Sequence, residues 1–368
     1  MALPSSGQLS LSDIATEYSV TQSNVSLASM SVDIGLTPQH AVSEFYGRSA
    51  GPSYTPLGYS VIGQGGSYEP FRVYYNNSRW FVTTKATNYQ YDYSDNNATS
   101  FTKGSSYLLV NPALAFNGNV VCAIDLSNNA NDFRISRSTD NGTSWSQVYS
   151  TGNANIGGLS TTPIIFYHGS NRWIAFAYGE KYISTDNGLT WSYSFGATID
   201  LDGGGAQSGS RIIINDNFNF YISDNGFSTN STVSLPFVSG SRYAPNNIAT
   251  DGNGTWLAWK YIPAGRMLKS TNNGSSWSVI TTDLPGYDNG ISYRYSQGTY
   301  GDGQFFIAAG KYSGTTYIGG VFGSSNGGSN FNLNPLVGTP SYLKGAIGVH
   351  HNGTDMVAAG DLENYKFN

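Results

Sequence analysis

Charge is scarce in this 368-residue chain. Asp, Glu, Lys and Arg make up 11% of it, against about 25% in an ordinary soluble domain. The 18 Lys and Arg form no cluster and the formal net charge is −5, which excludes the basic footprint of a nucleic-acid binder. Cysteine occurs once, as Cys122, so there is no internal disulfide framework and no multi-cysteine zinc site. Flanked by Val120, Val121 and Ala123, Cys122 reads as a small hydrophobe buried in a strand. No apolar run nears the roughly 18 residues of a transmembrane span, so no membrane insertion is expected. The opening Met-Ala-Leu-Pro-Ser-Ser-Gly has neither the positive nor the apolar region of a secretory signal. Ala, Leu, Glu and Lys are too few for long helices.

What fills the space is Gly (45), Tyr (27) and many Asn, Ser and Thr. Gly and Asn tolerate positive φ in tight turns, and aromatics pack on pleated faces, so the composition is that of short strands and many hairpins. An all-β fold is expected. Residues 1–48 stand apart. Ser10 and Asp13 have the spacing of a helix-capping box ahead of Ile14–Tyr18. Thr37-Pro38 opens a second short helix that runs to Tyr46 and ends at Gly47. Residues 49–56 read as a linker and 57–368 as the main domain.

That domain repeats. The phrases Ser138-Thr-Asp140-Asn-Gly142-Thr-Ser-Trp145 and Ser184-Thr-Asp186-Asn-Gly188-Leu-Thr-Trp191 are followed by Ser270-Thr-Asn272-Asn-Gly274-Ser-Ser-Trp277 and Ser324-Ser-Asn326-Gly-Gly328-Ser-Asn-Phe331. Worn copies start at Ser94 and at Ser223, the latter read as Ser223-Asp224-Asn225-Gly226 without an aromatic. In each, Asp or Asn holds a turn through backbone N–H groups, Gly supplies positive φ, and the aromatic starts the next strand. A second pattern, strand–polar turn–strand, recurs seven times from Asn77 to Gly353 at a mean spacing of 46 residues. That period matches one four-stranded propeller blade. The expected fold is a seven-bladed β-propeller, with six blades as the alternative. Residues 57–68 are positioned to complete the last blade, because ring closure removes exposed sheet edges.

The repeated phrase resembles the Asp-box, or BNR repeat, of sialidase-type propellers. The N-terminal stretch carries a second resemblance. Leu3-Pro4-Ser5-Ser6-Gly7, Ser10-Leu11-Ser12-Asp13-Ile14 and the closing Ser43-Glu44-Phe45-Tyr46-Gly47 are similar to the N-termini of tailed-phage structural proteins. That resemblance implies a virion location and docking to other virion proteins through residues 1–48. The favoured reading is a non-enzymatic virion protein of the tail, fibre or head decoration. Its loops would meet a host-surface glycan or protein, it needs no cofactor, and a homo-oligomer is compatible with it.

The alternative is a hydrolase of host surface polysaccharide. Resemblance to sialidases would require three arginines converging on a carboxylate, a Tyr–Glu pair and an acid Asp. Phe133-Arg134-Ile135-Ser136 lacks the proline of the sialidase Arg-Ile-Pro phrase. Arg211, Arg242, Arg266 and Arg294 are spread widely enough for three to meet at the axis. Whether Glu69, Glu180 or Glu363 meets a tyrosine in a catalytic pair is not read from one chain. A general glycosidase needs two facing carboxylates, which a count of Asp residues does not exclude. His350-His351 alternates across a strand rather than forming a metal pair. Asp200 and Asp202 before a Gly run read as a polar loop, with Ca²⁺ ligation the sharper alternative. No catalytic, cofactor or metal site is therefore assigned.

Overall fold

A computed structural model describes residues 70–367 apart from 85–90, 105–107, 109, 127–132, 152–162, 178, 195–203, 217, 239–240, 243–244, 246, 260–265, 282–296, 314–315, 330, 335–345 and 361–363. The chain is an all-β propeller. Six antiparallel sheets have four strands each. The first is β1 (Pro70–Asn76), β2 (Arg79–Thr84), β3 (Tyr91–Ser94) and β4 (Thr102–Lys103), and the second β5 (Val110–Asn117), β6 (Val120–Leu126), β7 (Phe133–Ser138) and β8 (Ser146–Ser150). The third is β9 (Ile164–Gly169), β10 (Arg172–Ala177), β11 (Glu180–Ser184) and β12 (Ser192–Ser194). The fourth is β13 (Gly205–Ser208), β14 (Arg211–Asn215), β15 (Asn219–Ser223) and β16 (Ser231–Ser234), followed by a two-stranded ribbon, β17 (Phe237–Val238) and β18 (Ser241–Arg242). The fifth is β19 (Asn247–Thr250), β20 (Trp256–Trp259), β21 (Arg266–Ser270) and β22 (Ser278–Thr281). The sixth is β23 (Gly298–Gly301), β24 (Gln304–Ser313), β25 (Thr316–Ser324) and β26 (Asn332–Asn334). A three-stranded sheet, β27 (Ala346–His351), β28 (Met356–Gly360) and β29 (Asn364–Phe367), lies between the sixth sheet and the first.

The expected seven four-stranded blades are thus corrected. Six sheets are complete, the number held as the alternative, because the last unit has three strands among the described residues. The helices expected within 1–48, the linker 49–56 and the closing residues 57–68 lie outside the described residues.

The second strand of each sheet explains the apolar runs. Trp173–Ala177 is buried along its whole length because a neighbouring sheet covers each face. Trp173, Ala175 and Ala177 join Cys122, Ile124 and Ile135 of the second blade. Ile174 and Phe176, pointing the other way, join Ile212, Ile214 and Phe227 of the fourth. The same partition runs round the ring. Val73, Trp80 and Val82 pack on Val357 and Ala359 of the three-stranded sheet, whose Val349, Met356 and Ala358 meet Phe306 and Val321 of the sixth blade. Gln297 reinforces this junction like an inserted peptide group: its amide donates to the Val73 carbonyl at 3.0 Å and accepts the Val73 N–H at 2.7 Å.

Candidate functional site

The six Asp-box phrases become six equivalent corners between third and fourth strands. At Ser138 the hydroxyl donates to Asp140 Oδ1 at 2.7 Å and accepts the Gly142 N–H at 2.8 Å. Asp140 Oδ1 also accepts the Ser144 N–H at 2.8 Å, and the Trp145 indole N–H donates to the Gly142 carbonyl at 2.9 Å. Ser184, Asp186, Gly188 and Trp191 repeat these bonds, as do Ser270, Asn272, Gly274 and Trp277. Ser324 likewise donates to Asn326 and accepts the Gly328 N–H, with the Phe331 ring buried beside them. Burial works to raise the Asp140 carboxyl, but the Ser144 and Ser138 hydrogen bonds outweigh it and hold it at about 2; Asp186 is held at about 2 in the same way by Thr190 and Ser184.

Both worn copies make the same corner. Ser94 bonds Asn96 and the Ala98 N–H, and Ser223 bonds Asn225 and the Phe227 N–H. The fifth position of the latter is therefore Phe227, at φ 58°, and not Gly226. Its ring is buried and meets Phe176 edge-on at 5.0 Å in the preceding blade.

Four of the six corners are latched by an arginine of the blade before. Arg79 donates to the Asn141 carbonyl at 2.7 Å, Arg137 to Asn187 at 2.9 Å, Arg172 to Gly226 at 2.9 Å and Arg211 to Asn273 at 2.7 Å. Sequence reasoning missed these staples, although Arg79, Arg172 and Arg211 all open a second strand just after a polar turn. Ser138→Ala removes one donor and orphans the buried Gly142 N–H, so it should cost about 1–3 kcal/mol. Asp140→Asn should stay within about 0.5 kcal/mol, because four corners already use Asn. Urea denaturation of the two variants checks this contrast.

A cavity of ≈ 510 Å³ lies on the ring axis, where β1, β5, β9, β13, β19, β23 and β27 all contribute to its wall. Tyr75, Tyr167 and Tyr300 hold equivalent places on it, each ring braced by the aromatic that follows the hairpin: Trp80 at 4.8 Å, Trp173 at 4.9 Å and Phe305 at 4.9 Å. Between them stand Gln207, Thr250 and His350. Arg72, also on the wall, donates to the Pro163 carbonyl at 3.1 Å. Among the described residues no lining side chain is a carboxylate.

Among the described residues the sialidase constellation does not gather here. Arg211 pairs with Asp224 at 2.6 Å, away from the axis, and Arg134 pairs with the buried Asp125 at 3.2 Å. The side chains of Arg242, Arg266 and Arg294 fall outside the described residues, as do Glu69, Glu363, Asp200 and Asp202. Glu180 does meet a tyrosine, accepting the Tyr182 hydroxyl. Burial and that hydrogen bond raise the Tyr182 pKa, the reverse of what activates a nucleophile, and its ring packs on Phe133 and Tyr149 between two blades. His350 and His351 face opposite ways: His350 lines the cavity, and His351 stacks on Phe306 at 5.7 Å. Burial, with a smaller contribution from His351, pushes His350 down to about 4. Among the described residues no group of three or more His, Cys, Asp or Glu side chains is placed to hold a metal. The attachment-segment residues Leu3, Pro4, Ser12, Asp13, Ile14, Phe45, Tyr46 and Gly47 lie outside the described residues.

No protein family and no curated protein matches the chain in sequence. Solved structures match in fold. "YCF48 bound to D1 peptide" is 14% identical with a TM-score of 0.58, covering 85% of this chain and 95% of that one. An ancestral GH74 enzyme is 16% identical with a TM-score of 0.51, covering 85% of this chain and 46% of that one, so this chain spans about half its length. A Trypanosoma rangeli sialidase in complex with sialic acid is 12% identical over 76% of this chain and 59% of that one, at a TM-score of 0.41. The expectation that the chain is not an enzyme is corrected by the second of these: enzymes are built on this framework, so Asp-box corners with a structural role say nothing against activity. What the likenesses establish is the β-propeller fold.

Proposed function

We propose that the propeller binds a glycan in its axial cavity. The observation that carries this is the trio Tyr75, Tyr167 and Tyr300, braced from behind on a wall that also offers Gln207, Thr250 and His350. A volume of ≈ 510 Å³ suits a small ligand or a short saccharide end. Braced rings stack on pyranose faces; the Gln207 amide, which donates to the Tyr167 and Gly209 carbonyls, offers its oxygen to a sugar hydroxyl, and the Thr250 hydroxyl can donate or accept. We further infer that the three-stranded sheet is the seventh unit of the ring, supported by its apolar contacts to both neighbours. The chain is, on this reading, a tailed-phage virion component mounted through residues 1–48. Support for that part is the resemblance of Leu3–Ile14 and Ser43–Gly47 alone.

The test is binding of the full chain to an array of bacterial surface polysaccharides, with Tyr167→Ala and Tyr300→Ala alongside. At least a tenfold loss of affinity is expected of both variants, with the β-sheet fold retained at some cost in melting temperature because each ring packs on a core cluster. Undiminished binding by them removes the cavity from the account. Peptides are screened in parallel because YCF48 is seen with a peptide; capture of peptides and no saccharide overturns the glycan reading. Reducing-end release in the same mixtures reports cleavage.

A further inference from the structure

Asparagine followed by glycine is a chemically labile pair, because the unhindered glycine nitrogen attacks the asparagine side-chain amide. The chain has nine such pairs. Asn289-Gly290 lies outside the described residues, and the fold treats the other eight unequally. Reaction needs the glycine N–H released, the side-chain amide able to turn, and water within reach. A hydrogen bond on either partner makes local opening a precondition.

Five of the eight lie in Asp-box corners, and all five are held. Gly142, Gly188 and Gly274 give their N–H groups to Ser138, Ser184 and Ser270 at 2.8, 2.9 and 2.9 Å. The asparagines before them, Asn141, Asn187 and Asn273, accept from Asn76, Trp173 and Trp256. Asn225 and Asn326 fill the acceptor place of their corners and are engaged by Ser223 and Ser324. The remaining three lie in hairpins between first and second strands. Asn352 accepts the Thr354 and Asp355 N–H groups while Gly353 donates to His351 Nδ1, and Asn117 donates to Asn187 at 3.0 Å.

Asn253 differs. It is exposed at the tip of the β19–β20 hairpin, and neither its side chain nor the Gly254 N–H has a hydrogen-bond partner among the described residues. The turn around it is nonetheless held in shape. Asp251 Oδ1 accepts the Asn253 and Thr255 N–H groups at 2.8 and 2.9 Å, and the Gly254 carbonyl accepts the Asn273 N–H at 2.9 Å. Gly254 stands at φ 100°, a conformation that calls for glycine, so the backbone of the turn itself selects the residue that leaves this nitrogen unshielded.

We propose that Asn253 is a site of spontaneous deamidation, and the first of the eight described pairs to react. The Gly254 nitrogen, losing its proton to solvent, bonds to Asn253 Cγ. The Cγ–Nδ2 bond breaks, and the nitrogen leaves as ammonia on taking up a proton. Water then opens the resulting succinimide. Attack at Cγ gives aspartate, and attack at the main-chain carbonyl gives isoaspartate. Either product places a new carboxylate at the hairpin tip. The isoaspartyl form also adds a methylene to the main chain between the two N–H groups that Asp251 holds.

Ageing of the purified full chain in mildly alkaline buffer, followed by peptide mapping with mass spectrometry, tests the site without particle or glycan. Asn253 should convert from amide to acid at least about tenfold faster than Asn141, Asn187 and Asn273, whose reaction waits on opening of a corner. Aspartyl and isoaspartyl forms of its peptide should both appear. In denaturant the eight pairs should react at similar rates, because the fold and not the local sequence sets their order. Faster conversion at any of the other seven in folded protein, or the same lead for Asn253 in denaturant, overturns the assignment. Asn253→Gln, whose longer side chain closes the ring far more slowly, should leave that peptide unchanged over the same time. Conversion there at the wild-type rate also overturns it.

Discussion

Gly188→Ala should destabilise the propeller by about 3 kcal/mol, from two sources that can be separated. Gly188 has φ 79°, where an L side chain costs about 1–2 kcal/mol. A Cβ there would also stand 2.5 Å from the sulfur of Cys122, which is buried beneath this corner in the preceding blade. Overpacking of that kind costs about 1–3 kcal/mol. Gly118 is the control: its φ is 58° and nothing lies within 4 Å of an added Cβ, so Gly118→Ala should show the backbone component alone, about 1–2 kcal/mol. Cys122→Ala makes room for the new methyl. Combined with Gly188→Ala it should therefore cost less than the two single changes added together, by about 1 kcal/mol or more. Denaturant midpoints of the four proteins supply the measurement. Equal losses at Gly188 and Gly118, or strict additivity with Cys122, would mean that the corner does not seat against its neighbour as described.

The seating explains why the repeat was legible and what hid the rest. Ser138, Asp140, Gly142 and Trp145 answer to each other within one turn, so the phrase appears in the sequence at fixed spacing. In the copy at Ser223 the sequence shows Gly226 one place ahead of the fifth position, which takes positive φ. The corner is set by the Ser223 hydroxyl, which accepts the N–H four residues on, and that residue is Phe227. Burial of the ring against Phe176 offsets the strain of its positive φ. The period of the repeat counts units and not strands, so it does not show that the final sheet, β27 to β29, has three strands among the described residues. The cavity was not legible at all. Tyr75, Tyr167 and Tyr300 come together only through the closed ring, and no short motif links them. Their one local signature is an aromatic five or six residues before Trp80, Trp173 and Phe305. The sequence gives no direction to a side chain at the mouth of a hairpin, so it does not separate an Arg211 at the axis from the one found at the corners, fixed by Asp224 and the Asn273 carbonyl.

Asp92→Asn should stabilise the protein above neutral pH and leave it almost unchanged in mild acid. Asp92 lies on β3 and is 3% exposed. Burial raises its carboxyl from the ordinary 3.8 to about 7, and its cross-strand neighbour Lys103 opposes this without cancelling it. With the folded value above the unfolded one, the folded state holds the proton more tightly. The stability this contributes is complete below about pH 4 and is lost as pH climbs toward and through 7, a change on the order of 4 kcal/mol. Asn keeps the shape of the protonated acid and cannot ionise, so the variant should lack this loss. His350 works against the effect in the same window: held down to about 4, it favours the fold above its unfolded value of 6.5 and costs stability as pH falls below it. The raw pH profile of either protein therefore mixes the two, and the quantity to follow is the difference between wild type and variant. That difference should be near zero at pH 4 and grow to several kcal/mol in favour of Asn by pH 8. A difference that does not change across this range would mean that Asp92 titrates as an ordinary carboxylate, and that its burial on β3 does not govern it.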